Sequence, residues 1–385
     1  MNIESYISAE KKYIKKHPIF VYKNFYPKHL IEHGFYQDIH DLSDIWKYAD
    51  TMHWHRLDET FRLLSSLTET EVEDCKNIIQ KVKNITNKYC NKIVLGTTPT
   101  LRALLTTRVI EKLQNKDKNN ILEIGPGSGM VGAFSLLRGN NYVAIENASP
   151  LFYWQNIFLK NFSENTVDLL DLDDDKNYEQ SNFVHIPWWS AVDERLIFKK
   201  KFDFIVLNHC ITEITSQAFN FYIYLIKKFL KDDGKIIVEG WGGGKYLRNA
   251  TRLIQNFSLV HNVSSTDNKN TFLYDAISVL TKKNQHKKIS QFVIKRKFES
   301  FLKRINNHFL LKSFEGGHFQ KNLVSELSNA LKIKQNTNGQ SKEEFISHLI
   351  KIYGENQILN EDEHFTKKFN DFDHSSEKKE NFTVI

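Results

Sequence analysis

One stretch constrains the fold of this chain more than any other: Asn120-Ile-Leu-Glu-Ile-Gly-Pro-Gly-Ser-Gly-Met-Val-Gly-Ala-Phe-Ser-Leu-Leu-Arg-Gly139. Ile121, Leu122 and Ile124 form a short apolar run between polar residues, the pattern of a strand buried on both faces. Gly125, Pro126, Gly127, Ser128 and Gly129 break that run into a turn. Glycine permits positive φ and lets backbone approach a ligand closely. Beyond Gly129, Met130, Ala133, Phe134, Leu136 and Leu137 recur at helical spacing. Strand, glycine turn and helix therefore follow in the order that gives a nucleotide-type glycine loop its meaning.

A second strand, Tyr142-Val-Ala-Ile-Glu-Asn147, ends on Glu146 and Asn147. An acid there, about 20 residues past the first glycine, accepts hydrogen bonds from the hydroxyls of a ribose. The dinucleotide fingerprint needs a third glycine or alanine where this chain has Met130. The glycines fall instead as G-x-G-x-G, with Glu123 two residues ahead. This stretch resembles the first motif of the class I S-adenosylmethionine-dependent methyltransferases. The resemblance implies that Glu123 and the loop Gly125, Pro126, Gly127, Ser128 and Gly129 hold the methionine part of S-adenosylmethionine. It implies likewise that Glu146 and Asn147 hold the ribose, and that the fold is a Rossmann-like, seven-stranded α/β sheet with helices on both faces.

The remaining strands are read in the same way. Asn182–Trp189 is a third strand ending in two tryptophans, and in the resembled family this end faces the adenine. The usual acid is missing there, which leaves Trp188 or Trp189 as a stacking face, with a core role the alternative. Phe202–Asn208 is a fourth strand whose carboxyl end carries Asn208, His209 and, one turn on, Glu213. In a doubly wound sheet the ligand crevice lies outside such ends, where strand order reverses. Asn208 is thus expected near the cofactor, and His209 and Glu213 near the reacting methyl. Lys235–Gly240, Phe257–Val263 and Tyr274–Leu280 complete the sheet. The run Asp168–Asp175 reads as a solvated acidic loop rather than a metal site.

At 385 residues the chain is long enough for more than one unit. Three are expected: residues 1–90, helical, a substrate lid; residues 91–283, the cofactor-binding domain; and residues 284–385, a charged helical extension. In the first, Met52–Asp58 gathers His53, Trp54, His55 and Arg56. That cluster reads either as an active-site cap or as polar residues flanking a buried tryptophan. At the entry to the second, Thr97 or Thr98 is expected to cap the helix that starts near Pro99. Resemblance makes Thr98 and Arg102 candidate contacts for the cofactor's methionine end, and a plain capped helix is the alternative. Lys287–Arg304 opens the extension as a basic, solvated segment, and 310–349 carries helical periodicity.

Cys75, Cys90 and Cys210 are scattered, with no C-x-x-C pair, so neither disulfide framework nor zinc site is indicated. The net charge of +7 is too mild to call for a nucleic-acid partner. No apolar run reaches membrane-span length, and a cytoplasmic protein is expected.

Alcohol methylation requires a base near the hydroxyl, which His209, oriented by Glu213, would supply. Methyltransferases acting on nucleic-acid amino groups show Asn/Asp-Pro-Pro-aromatic after the fourth strand, and here the letters are Asn208-His-Cys-Ile. Arginine methylation calls for paired glutamates, and only Glu213 is present there. The central half of the chain is similar to a group of bacterial sugar O-methyltransferases associated with surface-polysaccharide gene sets. That likeness rests on Gly125–Val131 with Leu136-Leu-Arg-Gly139, on Tyr142–Glu146 with Trp154-Gln155, and on Asn208, His209 and Glu213. It implies a small-molecule or glycan acceptor, and it leaves open both the oligomeric state and whether a metal assists.

Overall fold

Ile121, Leu122 and Ile124 are buried at the centre of one sheet, as their apolar run requires. The computed structural model describes residues 3–16, 24–25, 41–50, 57–172, 178–193, 196, 198, 201–211, 213–240, 247–263, 277–283 and 339–354. Eight strands form the sheet: β1 (Asn120–Ile124), β2 (Asn141–Glu146), β3 (Thr166–Asp168), β4 (Phe183–Pro187), β5 (Phe202–Asn208), β6 (Leu230–Glu239), β7 (Phe257–Val263) and β8 (Ile277–Lys282). Their order is β3-β4-β2-β1-β5-β6-β8-β7. The first six run parallel; β8 is antiparallel to both of its neighbours. Order therefore reverses between β1 and β5, where Ile121, Leu122 and Glu123 pair with Phe204, Ile205 and Val206, while the same β1 residues pair with β2 on the other side. Because parallel crossovers are right-handed almost without exception, that reversal sends helices to both faces.

The doubly wound α/β expectation is met, with one strand more than the seven expected. The addition is β3, three half-buried residues at the sheet edge, too short to show an apolar pattern. The third strand also ends earlier than expected, at Pro187, where a single helical turn, Trp188–Ala191, begins.

Ten α-helices are described: α1 (Ile3–Lys16), α2 (Leu57–Leu64), α3 (Glu69–Cys90), α4 (Thr97–Leu113), α5 (Met130–Leu137), α6 (Ser149–Leu159), α7 (Trp188–Ala191), α8 (Ser216–Phe229), α9 (Leu247–Asn256) and α10 (Lys342–Tyr353). α5 passes so close to β2 that a Cβ on Gly132 would lie 2.6 Å from the Tyr142 ring. The close-packing glycine of this helix is thus Gly132, two residues beyond the position the dinucleotide fingerprint uses. α4 is capped at Gly96, which has φ +62°, and neither Thr97 nor Thr98 caps it. Both threonines lie inside the first turn with buried hydroxyls, because Gly96 supplies the left-handed turn that starts the helix.

The N-terminal helices are joined to the sheet domain by a buried ion pair. Arg108 on α4 donates from Nε and Nη2 to the Glu71 carboxylate at 2.6 and 2.7 Å, and from Nη1 and Nη2 to the carbonyls of Leu64 and Ser66. Glu71 also closes the capping box of α3 with Thr68. α1 lies over α6 and α7, with Tyr6 against Phe152, Tyr153 and Trp189. The described part of the C-terminal extension packs back on this helical layer. Gln340 exchanges backbone hydrogen bonds with Leu67, Phe345 meets Phe61, and Tyr353 donates to the Lys76 carbonyl. The other residues beyond 283 lie outside the described set.

Candidate active site

Gly125, Gly127 and Gly129 all have positive φ, at +66°, +56° and +76°. Each answers a different demand. A Cβ on Gly125 would lie 2.8 Å from the Cys210 Cβ, so there the loop is pressed against the turn after β5. On Gly129 it would meet the Gln155 side chain at 3.3 Å. On Gly127 it would meet nothing within 4 Å. The loop is thus tightly packed on both sides of Gly127 and open at Gly127 itself.

That opening is a cavity lined by Gly125, Gly127, Glu146, Asn147, Ala148, Leu151, Cys210, Glu213, Ile214, Thr215 and Tyr222, with Ile124 at its base and Asn24 and Phe25 across it. The space inside it, counted together with open solvent at its mouth, is about 530 Å³. It lies at the carboxyl ends of β1 and β2 beside the strand-order reversal. Glu146 is its acid. The Oε1 atom accepts from the Asn147 and Ala148 backbone N–H groups at 2.8 and 2.9 Å, and Oε2 accepts from Gln155 Nε2 at 2.8 Å. Burial raises the Glu146 pKa to about 7 against the pull of those three donors.

Four of the expected cofactor residues, Gly125, Gly127, Glu146 and Asn147, meet at this cavity, and Glu213 joins them. The Asn147 side chain is engaged on both ends, donating to the Phe25 carbonyl at 3.1 Å and accepting from the Tyr222 hydroxyl at 2.6 Å. Pro126, Ser128 and Gly129 shape the loop from behind: the Gly129 N–H donates to the Pro126 carbonyl, and Trp154 Nε1 donates to the Ser128 carbonyl. Glu123 is buried between β1 and β2, accepting from the Tyr142 hydroxyl at 2.6 Å, and burial lifts its pKa to about 8. Trp188 also stands off the cavity lining. Its indole is fully buried, donates to Glu10 at 3.0 Å and stacks on Phe25, because α7 turns it toward α1.

Asn208 and His209 belong to a second polar cluster, at the ends of β5 and β6. Asn208 donates to Thr106 at 2.9 Å. His209 holds φ +53°, a left-handed conformation that few non-glycine residues adopt. Its backbone N–H donates to the Glu239 carbonyl at 2.7 Å, and its Nε2 lies 3.3 Å from Glu239 Oε1. The ring sits where a Cβ on Gly240 would intrude, so that glycine makes room for the imidazole. Glu239 is buried and paired with Arg102 on α4. Burial alone would raise its pKa, but the guanidinium and His209 together bring it down to about 2. The carboxylate facing His209 is therefore that of Glu239, whereas Glu213 lines the cavity. Arg102 serves the Glu239 pair.

Sequence reasoning did not single out Glu239, Tyr222 or Cys210. A glutamate at the last position of a buried strand, one residue before a glycine, is a signal that could have found Glu239. The Cys210 thiol, buried against Gly125, has its pKa raised well above the ordinary value and stays protonated. His53 and His55 lie outside the described residues, as does Asp173–Asp175. Among the described residues no cluster of His, Cys, Asp or Glu could hold a metal ion. Asp168 is instead engaged by Asn156 and Lys160, and Asp171 by Lys12 and Tyr13. All three cysteines are free and buried, and no described helix is long and apolar enough to cross a membrane.

No protein-family model and no curated protein matches the chain. Similar solved structures include a TehB-like SAM-dependent methyltransferase from Corynebacterium glutamicum, at 18% identity and TM-score 0.33 over 47% of this chain and 87% of that one. Another is the N-methyltransferase NodS from Bradyrhizobium japonicum in complex with S-adenosyl-L-homocysteine, at 15% identity and TM-score 0.33 over 48% and 89%. A third is the 1,6-didemethyltoxoflavin-N1-methyltransferase of Burkholderia thailandensis, at 16% identity and TM-score 0.32 over 48% and 77%. These likenesses concern about half of this chain and assign it no activity.

Proposed function

We propose that the chain binds S-adenosylmethionine in the Gly127–Glu146 cavity and transfers its methyl group to a hydroxyl of a sugar or glycan precursor. One observation carries the cofactor reading: the loop is tight at Gly125 and Gly129 but open at Gly127, directly beside a buried carboxylate. A ligand with a flexible zwitterionic end and a ribose fits that pairing, the loop backbone taking the former and Glu146 the latter. Leu151, Ile214 and Phe25 supply apolar wall for a flat base.

Once bound, the cofactor supplies a methyl group on a positively charged sulfur, open to displacement by an acceptor oxygen. The residue that takes the acceptor's proton is His209. Its ring is oriented by Glu239, and that carboxylate is kept ionised by Arg102. The sugar class of the acceptor rests on the sequence resemblance. Incubation with methyl-labelled cofactor and a pool of nucleotide sugars tests it: label should appear in a sugar hydroxyl, and label only in amines would replace the O-methyl reading.

Glu146 provides the sharper test of the cofactor site. Removing a charged acceptor costs about 1.5–3 kcal/mol, so Glu146→Ala should weaken S-adenosylhomocysteine binding roughly ten- to a hundred-fold. The pH dependence has a definite sign. Ribose hydroxyls donate best to the ionised carboxylate, whose pKa in the ligand-free protein is about 7. Affinity should therefore be full above that value and fall toward about tenfold per pH unit below it. Calorimetry between pH 5.5 and 8.5 checks both points, and a sloping profile that persists in Glu146→Ala would assign the titration to another group.

A further inference from the structure

Gln155 is fully buried on α6, in a helix otherwise rich in aromatic residues. Its carboxamide touches three partners. Nε2 donates to the Gly127 carbonyl at 2.7 Å and to Glu146 Oε2 at 2.8 Å, and Oε1 faces His185 Nε2 at 2.9 Å. These contacts admit one orientation of the amide. Turned over, its oxygen would face two acceptors, the Gly127 carbonyl and the Glu146 carboxylate, with both hydrogens misdirected. The oxygen must then face His185, which fixes Nε2 of that ring as the protonated nitrogen. His185 holds the arrangement firmly: it is buried in β4 and stacked on Phe152, with ring centroids 3.6 Å apart at 5°. Burial drives its pKa down to about 3, so the ring stays neutral and keeps a single tautomer.

The two groups that Gln155 joins are the open point of the glycine loop and the acid of the cavity. A carboxylate offers about four acceptor positions. The backbone N–H groups of Asn147 and Ala148 take two on Oε1 and Gln155 takes a third on Oε2. The direction left for a ligand hydroxyl is thus set by the glutamine amide. We infer that Gln155, locked by His185, is a positioning residue for ribose recognition: it holds Glu146 at a fixed distance and angle from the Gly127 backbone. This inference rests on the cofactor reading above. It adds that hydroxyl recognition depends on a residue that stands behind the cavity wall.

The test compares two ligands on the full-length protein, S-adenosylhomocysteine and its 2′,3′-dideoxy analogue. Wild-type protein should bind the first and discriminate against the second. Gln155→Met keeps the shape of the side chain and removes all three polar contacts. It should weaken S-adenosylhomocysteine about tenfold or more while changing the affinity of the dideoxy analogue less than about twofold. A purely structural glutamine would weaken both ligands equally, and that result overturns the inference while leaving the cofactor reading intact. Gln155→Glu is the second variant. It retains an oxygen toward His185 but replaces the donor to Glu146 with an acceptor, so the same ligand-selective loss is expected. If neither variant folds, as judged by circular dichroism, Gln155 is a folding residue and the inference is wrong. Wild-type protein that binds neither ligand overturns the cofactor reading, and this inference with it.

Discussion

Gly127→Val is expected to abolish cofactor binding, weakening S-adenosylhomocysteine by about a thousand-fold or more, which corresponds to about 4 kcal/mol. Two effects act together. The added side chain enters space that the cavity offers a ligand, since nothing beyond the adjoining residues lies within 4 Å of the new Cβ. A β-branched residue is also strained at φ +56° and will pull the loop toward a negative φ. The fold should survive, because the tight contacts of the loop are at Gly125 and Gly129. The Gly127 carbonyl would keep its bond from Gln155 only if the loop does not move. Equilibrium dialysis beside circular dichroism separates the outcomes, and a folded variant of wild-type affinity would place the cofactor elsewhere.

The second large effect concerns turnover. His209→Ala should lower the methyl-transfer rate by about 10²–10⁴, the usual worth of a positioned base, with cofactor affinity near wild type because His209 does not line the cavity. Single-turnover rates are the right readout, since product release then does not mask the chemical step. His209 holds a left-handed backbone conformation, keeps its N–H on the Glu239 carbonyl and has a glycine opposite its ring. Strain of this kind persists where surrounding structure over-determines it. A full-rate His209→Ala enzyme beside a slow His53→Ala or His55→Ala enzyme would move the base to the N-terminal region.

Much of the fold was legible because its local signals agree. The β1 run, three glycines and the apolar helix spacing each demand the same conformations, and all three loop glycines have positive φ. Glu146 was found from its distance along the chain, since a strand–loop–helix unit of fixed size puts the end of β2 beside the loop. Side-chain direction was harder to read. From sequence, Trp188 reads equally as an adenine stack or as a core side chain, because it follows a strand. Its backbone instead enters a helical turn, which points the indole at Glu10 and Phe25.

Partners far apart in sequence were not legible. Glu213 is four residues from His209, one helical turn, and so suggested itself as the orienting acid. The carboxylate at hand is Glu239, 30 positions away, brought there by the parallel pairing of Asn208 with Glu239. Arg102 was a candidate for the cofactor's methionine end. It pairs with Glu239, a contact that only the packing of α4 on the sheet reveals. Gln155 was visible as a letter in a motif, yet its three contacts come from β1's loop, β2 and β4, and no local pattern records them.

The central claim is that this cavity holds an adenosyl cofactor, and calorimetric titration of the full-length protein with S-adenosylhomocysteine tests it most directly. The account predicts saturable binding at one site per chain, lost in Gly127→Val and weakened roughly ten- to a hundred-fold in Glu146→Ala. Absence of heat and of competition with labelled S-adenosylmethionine up to millimolar ligand, by folded protein, would contradict it.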